Sequence, residues 1–465
     1  MGAPITTSIR QYCDVMGYAA PQNKFELKLP PPRDWNHNFF FRACGGFCGY
    51  LKSRMCNPGL ARGYASATGD GGHESALGFD GIWAASAPEL QEDFGWRSNH
   101  VVTLVTKFIT TYYYGEPIKH SFMAGNSKGG QAVLMEAQRF PADYDGLLPS
   151  APVYEYTARN SIAAAWFAQA VSDGHGGSVL NAAAARAIHK SVLQHCGAQD
   201  GVEEGFVADP LSCKWQPKMI ACPSGGSGPD CLNPRQVTAV KRLMSPAINS
   251  KGQVLYAFPY LPGSETQWAG FNYPGVAIPG YPPRFANMDL ARVWLRYFVD
   301  AKKRQKGDAL SFDFDRDPAT LDRSRRIYDA TSFDLRAFKA RGGKMLMWHG
   351  WADGAMSPTS SIAYYEGVVK FMGGRRQTED FFRLFLIPGV HHGGGGPGLT
   401  DFDALTALEN WVEKGEAPEK LIACRSTNGV ERCRPVFPYP IQAHYSGKGD
   451  PNQAGSFVPV EPSNH

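Results

Sequence analysis

Residues 123–134, MAGNSKGGQAVL, contain a serine between two glycines in the pattern Gly-x-Ser-x-Gly, formed by Gly125, Ser127 and Gly129. A short apolar segment precedes the pattern, and a segment typical of a helix follows it and is stopped by Pro141. A strand that turns sharply into a helix presents such a serine as an exposed nucleophile, and the glycines leave room for the turn. This setting favours a catalytic role for Ser127 over an incidental place in a glycine-rich turn.

A serine hydroxyl is a weak nucleophile until a base accepts its proton, and the base needs a carboxylate that fixes its tautomer. In the architecture that carries this serine motif, the acid and then the histidine follow the serine along the chain. Asp353 follows the apolar run at 344–349, and the pair His391 and His392 follows the apolar run at 381–389. We predict that Asp353 is the acid and that one of the two histidines is the base.

An oxyanion hole needs two backbone N–H groups directed at the negative charge that develops on the substrate. One is expected from Lys128, the residue after the serine. The other is expected from the loop RACGGFCG at 42–49, where Gly45 and Gly46 allow close approach of the backbone. A plain tight turn is the alternative for this loop.

The two ends of the chain show alternating strand and helix patterns. Residues 24–49 predict two strands divided by a proline-rich turn, and residues 97–114 predict a helix. Residues 155–335 lack this alternation and are rich in glycine and proline loops. We predict an α/β fold with a parallel sheet, in which 1–154 and 336–465 form the catalytic domain and 155–335 are inserted as a lid.

Composition excludes several classes of partner. The 465 residues are 43% apolar, which is typical of a globular protein, and no apolar run approaches the length of a membrane span. Lys and Arg number 47 against 43 Asp and Glu, and the net charge of +4 is not gathered into blocks. We expect a small-molecule substrate and no nucleic-acid partner.

Six of the ten cysteines form three pairs that are close in sequence: Cys196 with Cys213, Cys222 with Cys231, and Cys424 with Cys433. None has CxxC spacing, so disulfides are favoured over a metal site. Disulfides persist outside the reducing cytosol, so these pairs predict a secreted or periplasmic protein. The sequence shows no signal-peptide pattern, and we therefore interpret it as a mature form. The alternative is buried free thiols in a cytosolic enzyme. The pairing of Cys13, Cys44, Cys48 and Cys56 stays open among three connectivities.

Eight segments spread over nearly the whole chain carry a resemblance to a known family. They are YCDVMG, WNHNFFFRACGGFCG, GNSKGGQAVLMEAQRFPADYDGLLPSAP, CGAQDGVEEGFVADPLSC, DLRAFKARGGKMLMWHGWADGAMSP, YYEGV, FFRLFLIPGVHHGGGGPG and ALENWVEKGEAP. Together they resemble the tannase and feruloyl esterase family, whose members include the hydrolase of mono(2-hydroxyethyl) terephthalate. The resemblance implies an α/β-hydrolase fold with a large inserted lid and a Ser-Asp-His triad. It also implies cleavage of esters, commonly those of aromatic carboxylic acids.

The chain departs from the family beside the expected triad. Family members usually carry a bridged cysteine pair, one just before the serine and one just after the histidine, where this chain has Asn126 and Gly393. The same match implies that His392, not His391, is the base. We predict that Asn126 and Gly393 lie within disulfide reach, with Cα atoms less than about 7 Å apart. The Asn126 amide is expected to donate a hydrogen bond to the backbone of the histidine loop.

The resemblance also implies calcium in the lid, in the loop closed by Cys196 and Cys213. The carboxylates of Asp200 and Glu204 and the carbonyls of Val202 and Phe206 are the matching ligands. Gly197 stands where the family has a further aspartate. We expect a structural calcium here and no cofactor for catalysis; the alternative is a loop held by its disulfide alone.

These observations favour a serine esterase for aromatic acyl groups of the feruloyl, gallate or terephthalate-monoester type. The candidate substrate-binding residues are Trp268, Phe271, Arg284, Phe285 and His391. A serine peptidase would use the same triad, and a catalytically silent binding protein would keep the same fold. The intact set of serine, acid and histidine speaks against the silent protein.

Overall fold

A large mixed sheet organises the chain, for which the computed structural model describes residues 11–75, 79–85, 87–275, 285–299 and 308–461. The strands are β1 (Cys13–Ala19), β2 (Asn23–Leu29), β3 (Phe39–Ala43), β4 (Ala65–Gly69), β5 (Ser121–Asn126), β6 (Gly146–Ser150), β7 (Ala247–Ile248), β8 (Val254–Tyr256), β9 (Lys344–Gly350), β10 (Phe382–Ile387), β11 (Leu421–Thr427), β12 (Val430–Val436), β13 (Gln442–Tyr445) and β14 (Phe457–Val460). Eight of them form one sheet in the order β1-β2-β4-β3-β5-β6-β9-β10. This order, with helices on the sheet, is that of an α/β-hydrolase fold.

The sequence predicted a parallel sheet, and this prediction is wrong for one end of the sheet. β2 runs antiparallel to both β1 and β4, whereas β4, β3, β5, β6, β9 and β10 run parallel. Only the three residues 20–22 separate β1 from β2. Such a short connection joins antiparallel strands, because parallel neighbours need a crossover of a dozen or more residues.

Helices cover both faces of the sheet and build the middle of the chain. They are α1 (Asn57–Leu60), α2 (Pro88–Glu92), α3 (Ser98–Tyr114), α4 (Lys128–Arg139), α5 (Tyr156–Ala158), α6 (Ala164–Val171), α7 (Ala182–Cys196), α8 (Pro234–Leu243), α9 (Ala286–Tyr297), α10 (Asp322–Tyr328), α11 (Arg336–Ala340), α12 (Pro358–Phe371), α13 (Arg375–Glu379) and α14 (Ala404–Lys414). The predicted strands within 24–49 and the predicted helix at 97–114 are confirmed as β2, β3 and α3. The helix after the serine ends at Arg139, two residues before Pro141.

Successive side chains of the central strands enter two different apolar cores. In β5, Met123 packs in one core while Phe122 and Ala124 pack in the other. Because side chains alternate between the two faces of a strand, both faces of the sheet are buried. This explains why the strands before Ser127 and Asp353 are continuous apolar runs.

None of the eight strands of the large sheet comes from the described part of 155–335. That segment supplies α5 to α10 and the β7–β8 pair, and its apolar residues join the same core as one face of the sheet. Arg159, 1% exposed, donates from Nη2 to the Ala355 carbonyl at 2.8 Å. The middle segment is thereby fixed directly to the loop that follows β9.

The three predicted disulfides, Cys196–Cys213, Cys222–Cys231 and Cys424–Cys433, are confirmed. Of the four cysteines whose pairing the sequence left open, Cys44 and Cys48 form a fourth bridge, and none of the three complete connectivities is formed. Cys13 and Cys56 are unbridged, the first exposed and the second buried. Each bridge spans 17 residues or fewer, so each closes a local loop.

Candidate active site

Ser127 lies at the junction of β5 and α4 with φ 62° and ψ −118°, a backbone conformation that residues other than glycine rarely adopt. The turn is tight enough that a Cβ on Gly125 would lie 2.2 Å from the Gly129 carbonyl oxygen. A Cβ on Gly129 would lie 2.9 Å from the Ala43 oxygen. Both flanking glycines are therefore required by close backbone contacts, as the motif predicts, and the serine is held in a strained elbow.

Asp353 follows β9 and is almost completely buried. Its Oδ1 accepts hydrogen bonds from the backbone N–H groups of Ala355 at 2.8 Å and Met356 at 2.7 Å. Its Oδ2 accepts from His392 Nδ1 at 2.7 Å. Burial alone would raise the pKa of this carboxyl, but His392 and His349 hold its pKa well below the ordinary value, so it stays ionised.

His392 follows β10, and its bond from Nδ1 to Asp353 fixes the tautomer that leaves Nε2 available as a base. The backbone N–H of His392 donates to Gln267 Oε1 at 2.9 Å. The same oxygen accepts from the backbone N–H of Gly354, also at 2.9 Å. Gln267, from the middle segment, thus ties the acid loop to the histidine loop, a role that its sequence context does not signal.

His349, at the end of β9, is a second partner of the acid that the sequence did not identify. Its ring is fully buried, and Nε2 donates to Asp353 Oδ2 at 3.1 Å. The Ser361 hydroxyl donates to Nδ1 at 2.7 Å. The ring therefore holds the same carboxylate oxygen that His392 bonds, and both His349 and Asp353 lie within the segment MWHGWADG.

His391 points to a different partner from its neighbour. Its Nε2 lies 2.7 Å from the Thr266 hydroxyl of the middle segment. Burial lowers the pKa of His391, which favours the neutral ring. Of the two neighbouring histidines, only His392 therefore bonds Asp353, and it is the one that the resemblance implies as the base.

Asn126 and Gly393 are in contact, as the comparison with a bridged cysteine pair had suggested. A Cβ on Gly393, whose φ is 74°, would lie 2.8 Å from Asn126 Nδ2. The Asn126 side chain accepts from Ser150 Oγ through its own Oδ1 at 3.1 Å. Among the described residues, the predicted bond from its amide to the backbone of the histidine loop is not formed, and contact and packing hold the two loops together.

The candidate oxyanion loop lies beside the elbow. A Cβ on Gly45 would lie 3.5 Å from the Asn126 carbonyl oxygen, and the Gly46 carbonyl accepts from Tyr156 Oη at 2.9 Å. The Cys44–Cys48 bridge closes this loop. The Lys128 ammonium lies 4.6 Å from the centre of the Phe94 ring, and burial lowers the pKa of Lys128 to about 7.

The aromatic residues predicted to contact substrate have different surroundings. Trp268 and Phe285 are 0% and 1% exposed, so they belong to the core of the middle segment and do not form an open aromatic wall. Phe271 is partly buried against that core. Arg284 lies outside the described residues.

The expected calcium loop contains a cation of its own. Asp200 and Glu204 both face the guanidinium of Arg434, which comes from β12. Arg434 Nη2 pairs with Glu204 Oε1, and Arg434 Nη1 lies 3.9 Å from Asp200 Oδ2. The Phe206 side chain packs on Gly389, three residues before His392. A carboxylate pair already facing a guanidinium is a poor donor set for a divalent cation, so these residues do not fit calcium as the resemblance implies.

An α/β-hydrolase sheet with a serine on a strained elbow, and an ionised acid bonded to a histidine at the same edge, defines a serine hydrolase. Residues 6–460 match the family described as tannase and feruloyl esterase, and the chain belongs to that family of carboxylic ester hydrolases. Within the described residues, no helix is long and apolar enough to cross a membrane.

Relatives extend over nearly the whole chain. A mono(2-hydroxyethyl) terephthalate hydrolase from Piscinibacter sakaiensis is 32% identical, with 99% of this chain and 87% of the relative aligned. A probable feruloyl esterase from Arthroderma benhamiae is 31% identical over 92% of this chain and 81% of its own length. The crystal structure of feruloyl esterase B from Aspergillus oryzae shares the fold, with a TM-score of 0.84 at 24% identity, covering 97% of this chain and 91% of that one.

Proposed function

We propose that this chain hydrolyses esters of aromatic carboxylic acids through an acyl-enzyme, with Ser127 as nucleophile, His392 as base and Asp353 as the acid that orients it. The observation that carries the proposal is the 2.7 Å bond between His392 Nδ1 and Asp353 Oδ2 beside the strained elbow. The contact of Asn126 with Gly393 supports it, because these residues are the chain neighbours of the nucleophile and the base.

The reaction follows from the positions of these groups. Ser127 Oγ attacks the ester carbonyl carbon while His392 Nε2 takes its proton, and the N–H of Lys128 with one from Gly45 or Gly46 binds the oxyanion. His392 then gives the proton to the departing alcohol. A water, deprotonated by the same nitrogen, attacks the acyl-enzyme and releases the acid. Asp353 stabilises the imidazolium formed in each half of the cycle.

The proposal of an aromatic acyl group rests on the activities named for the relatives of this chain. Their names refer to terephthalate and feruloyl esters, both of which carry an aromatic acid. We propose that the acyl group meets the middle segment, where Phe271 is a partly exposed candidate contact. Turnover of methyl ferulate, alkyl gallates and terephthalate monoesters, measured side by side, tests this choice, and the proposal requires that one of them exceed an aliphatic ester of equal length.

The triad is tested by substitution. Ser127→Ala, Asp353→Asn and His392→Ala should each lower kcat on a p-nitrophenyl ester by roughly 10⁴–10⁶-fold, because the members of a triad act as a unit. His391→Ala is the matched control and should keep most of the activity. Loss of turnover in His391→Ala with retention in His392→Ala would show that the base is misassigned. Wild-type cleavage of p-nitroanilides at rates like those on esters would favour the peptidase alternative.

We also propose that the protein works outside the cytoplasm. Four disulfides that close local loops support this placement, since such bridges persist in oxidising compartments. Peptide mapping of the native protein without reduction is the test, and free thiols at the eight bridged positions would contradict it.

A further inference from the structure

The loop between Cys196 and Cys213 is fastened to the hairpin of β11 and β12 by a buried ionic cluster. The cluster consists of Asp200 and Glu204 from the loop and Arg434 from β12. The side chains of Arg434, Glu204 and Asp200 are 3%, 2% and 6% exposed. A buried charge is costly unless it is paired, so each member of this cluster depends on the others. The guanidinium also lies 3.7 Å from the centre of the Phe457 ring, on β14. Its charge is thereby compensated by two carboxylates and an aromatic face.

A backbone hydrogen bond also joins this loop to the C-terminal region. The N–H of Tyr445, at the end of β13, donates to the Asp200 carbonyl at 2.9 Å. Asp200 thus binds the C-terminal region through its backbone and faces Arg434 through its side chain. The loop and the C-terminal region are in this way joined at two independent points.

We infer that Arg434 is the permanent cation of this loop, in place of a metal ion. The guanidinium offers five N–H donors and a fixed positive charge, which suits two carboxylates held close together. Calcium requires six to eight oxygen ligands, and it would have to share Asp200 and Glu204 with a positive charge that the fold keeps beside them. The order of the loop therefore rests on Arg434 and does not depend on calcium.

The cluster has a second consequence, because the loop supports the histidine loop. The Phe206 side chain, two residues after Glu204, packs against Gly389, where an added Cβ would lie 2.7 Å from Phe206 Cβ. Gly389 precedes His392 by three residues. Arg434 is thus a positioning residue, which acts on the base only through the loop that it fastens.

Thermal unfolding of the whole protein tests the inference and does not require that the proposed esterase activity be correct. Excess EGTA or added calcium should leave the Tm of the wild type unchanged to within about 1 °C, because a ligand that does not bind the native state does not stabilise it. A fall of several degrees in EGTA, restored by calcium, would overturn the inference. This arm uses no variant, so it stands even where a substitution prevents folding.

Substitution on β12 supplies the second arm. Arg434→Gln should lower the Tm by roughly 3–5 °C and speed proteolytic cleavage within 201–205, because it leaves two buried carboxylates unpaired. Arg432→Gln removes an exposed arginine of the same strand and is the matched control. Arg434→Lys, which keeps the charge but loses the planar fork, should fall between wild type and Arg434→Gln. An Arg434→Gln protein as stable as Arg432→Gln would overturn the inference.

A kinetic readout separates positioning from stability alone. At a temperature where Arg434→Gln is fully folded by circular dichroism, kcat should be lower by a factor of a few with little change in KM, because the base is displaced while the binding surface stays. Equal kcat in Arg434→Gln and Arg432→Gln would overturn the positioning role.

Discussion

At the scale of single residues, the candidate site depends on the three proposed catalytic residues and also on side chains that hold the backbone of the loops carrying them. Gln267 Oε1 accepts from the N–H groups of both Gly354 and His392, at 2.9 Å each. Together with the bond from the Ala352 N–H to the Val390 carbonyl, this oxygen sets the separation between the acid loop and the histidine loop. The alignment of His392 depends on that separation, and small misplacements of a catalytic group carry large losses of rate.

We expect Gln267→Ala to lower kcat on a p-nitrophenyl ester by about 10–100-fold with little change in KM, because the base is left less well aligned. Gln267→Glu, which keeps the accepting oxygen, should retain more activity than the alanine variant. Thr266→Val is the matched control, since Thr266 bonds His391 and not His392. The role given to Gln267 would be refuted by a Gln267→Ala kcat equal to that of Thr266→Val.

At the scale of elements, the serine elbow was predictable because its causes are local. Gly125, Ser127 and Gly129 stand within five residues of one another, and the burial of β5 on both faces appears in the sequence as an apolar run. The positions of Asp353 and of the pair His391 and His392 followed from the same logic, since each follows a buried strand, whereas the choice of His392 came from the resemblance. The antiparallel β1–β2 pair was missed because its signal is a short connection, not a periodicity.

The partners that fasten these elements were beyond sequence reasoning. Gln267 lies 125 residues from His392 along the chain. Arg434 lies on β12, which follows all three proposed triad residues in the chain. Neither residue belongs to a recognisable pattern, because a polar side chain in a loop is common and its partner is set by how the middle segment folds over the sheet. The calcium expectation was limited in the same way, because the ligand carboxylates were visible in the sequence and the guanidinium that faces them was not.

The contact between the elbow and the histidine loop permits an engineered bridge. Asn126→Cys with Gly393→Cys should form a disulfide, because a Cβ on Gly393 would lie 2.8 Å from Asn126 Nδ2 in the native structure. The φ of 74° at Gly393 opposes the change by about 1–2 kcal/mol, and closure of a long loop offsets it by about 4–5 kcal/mol. We expect activity to be kept and the Tm to rise on oxidation.

Thiol titration under denaturing conditions checks the bridge, with Cys13 and Cys56 as the background of the wild type. Each single cysteine variant should add one reactive thiol, and the oxidised double variant should add none. Two further thiols that remain free under oxidising conditions would mean that the loops are arranged differently, and would put the assignment of His392 in doubt as well.

At the scale of the whole molecule, the middle segment and the sheet share one apolar core. A single cluster of buried residues includes Phe39 and Met123 of the sheet together with Trp268 and Trp294 of the middle segment. Arg159 adds a buried hydrogen bond from the middle segment to the acid loop. The four disulfides do not cross between these parts, since each closes a loop of its own. Apolar packing and buried hydrogen bonds, and not disulfides, therefore hold the middle segment on the sheet.

This shared core predicts that the two parts unfold together. In a denaturant titration, loss of esterase activity, the near-ultraviolet signal of the tryptophans and the far-ultraviolet signal of the helices should have the same midpoint. Reduction of the disulfides should lower that midpoint without separating the three curves, because each bridge constrains only a short loop of the unfolded chain, worth about 2–3 kcal/mol. Arg159→Met, which removes the buried bond to Ala355 but keeps an apolar side chain, should shift all three curves equally. Activity that disappears at clearly lower denaturant than the helical signal, in the wild type, would show that the middle segment detaches first and that the common core does not couple it to the sheet.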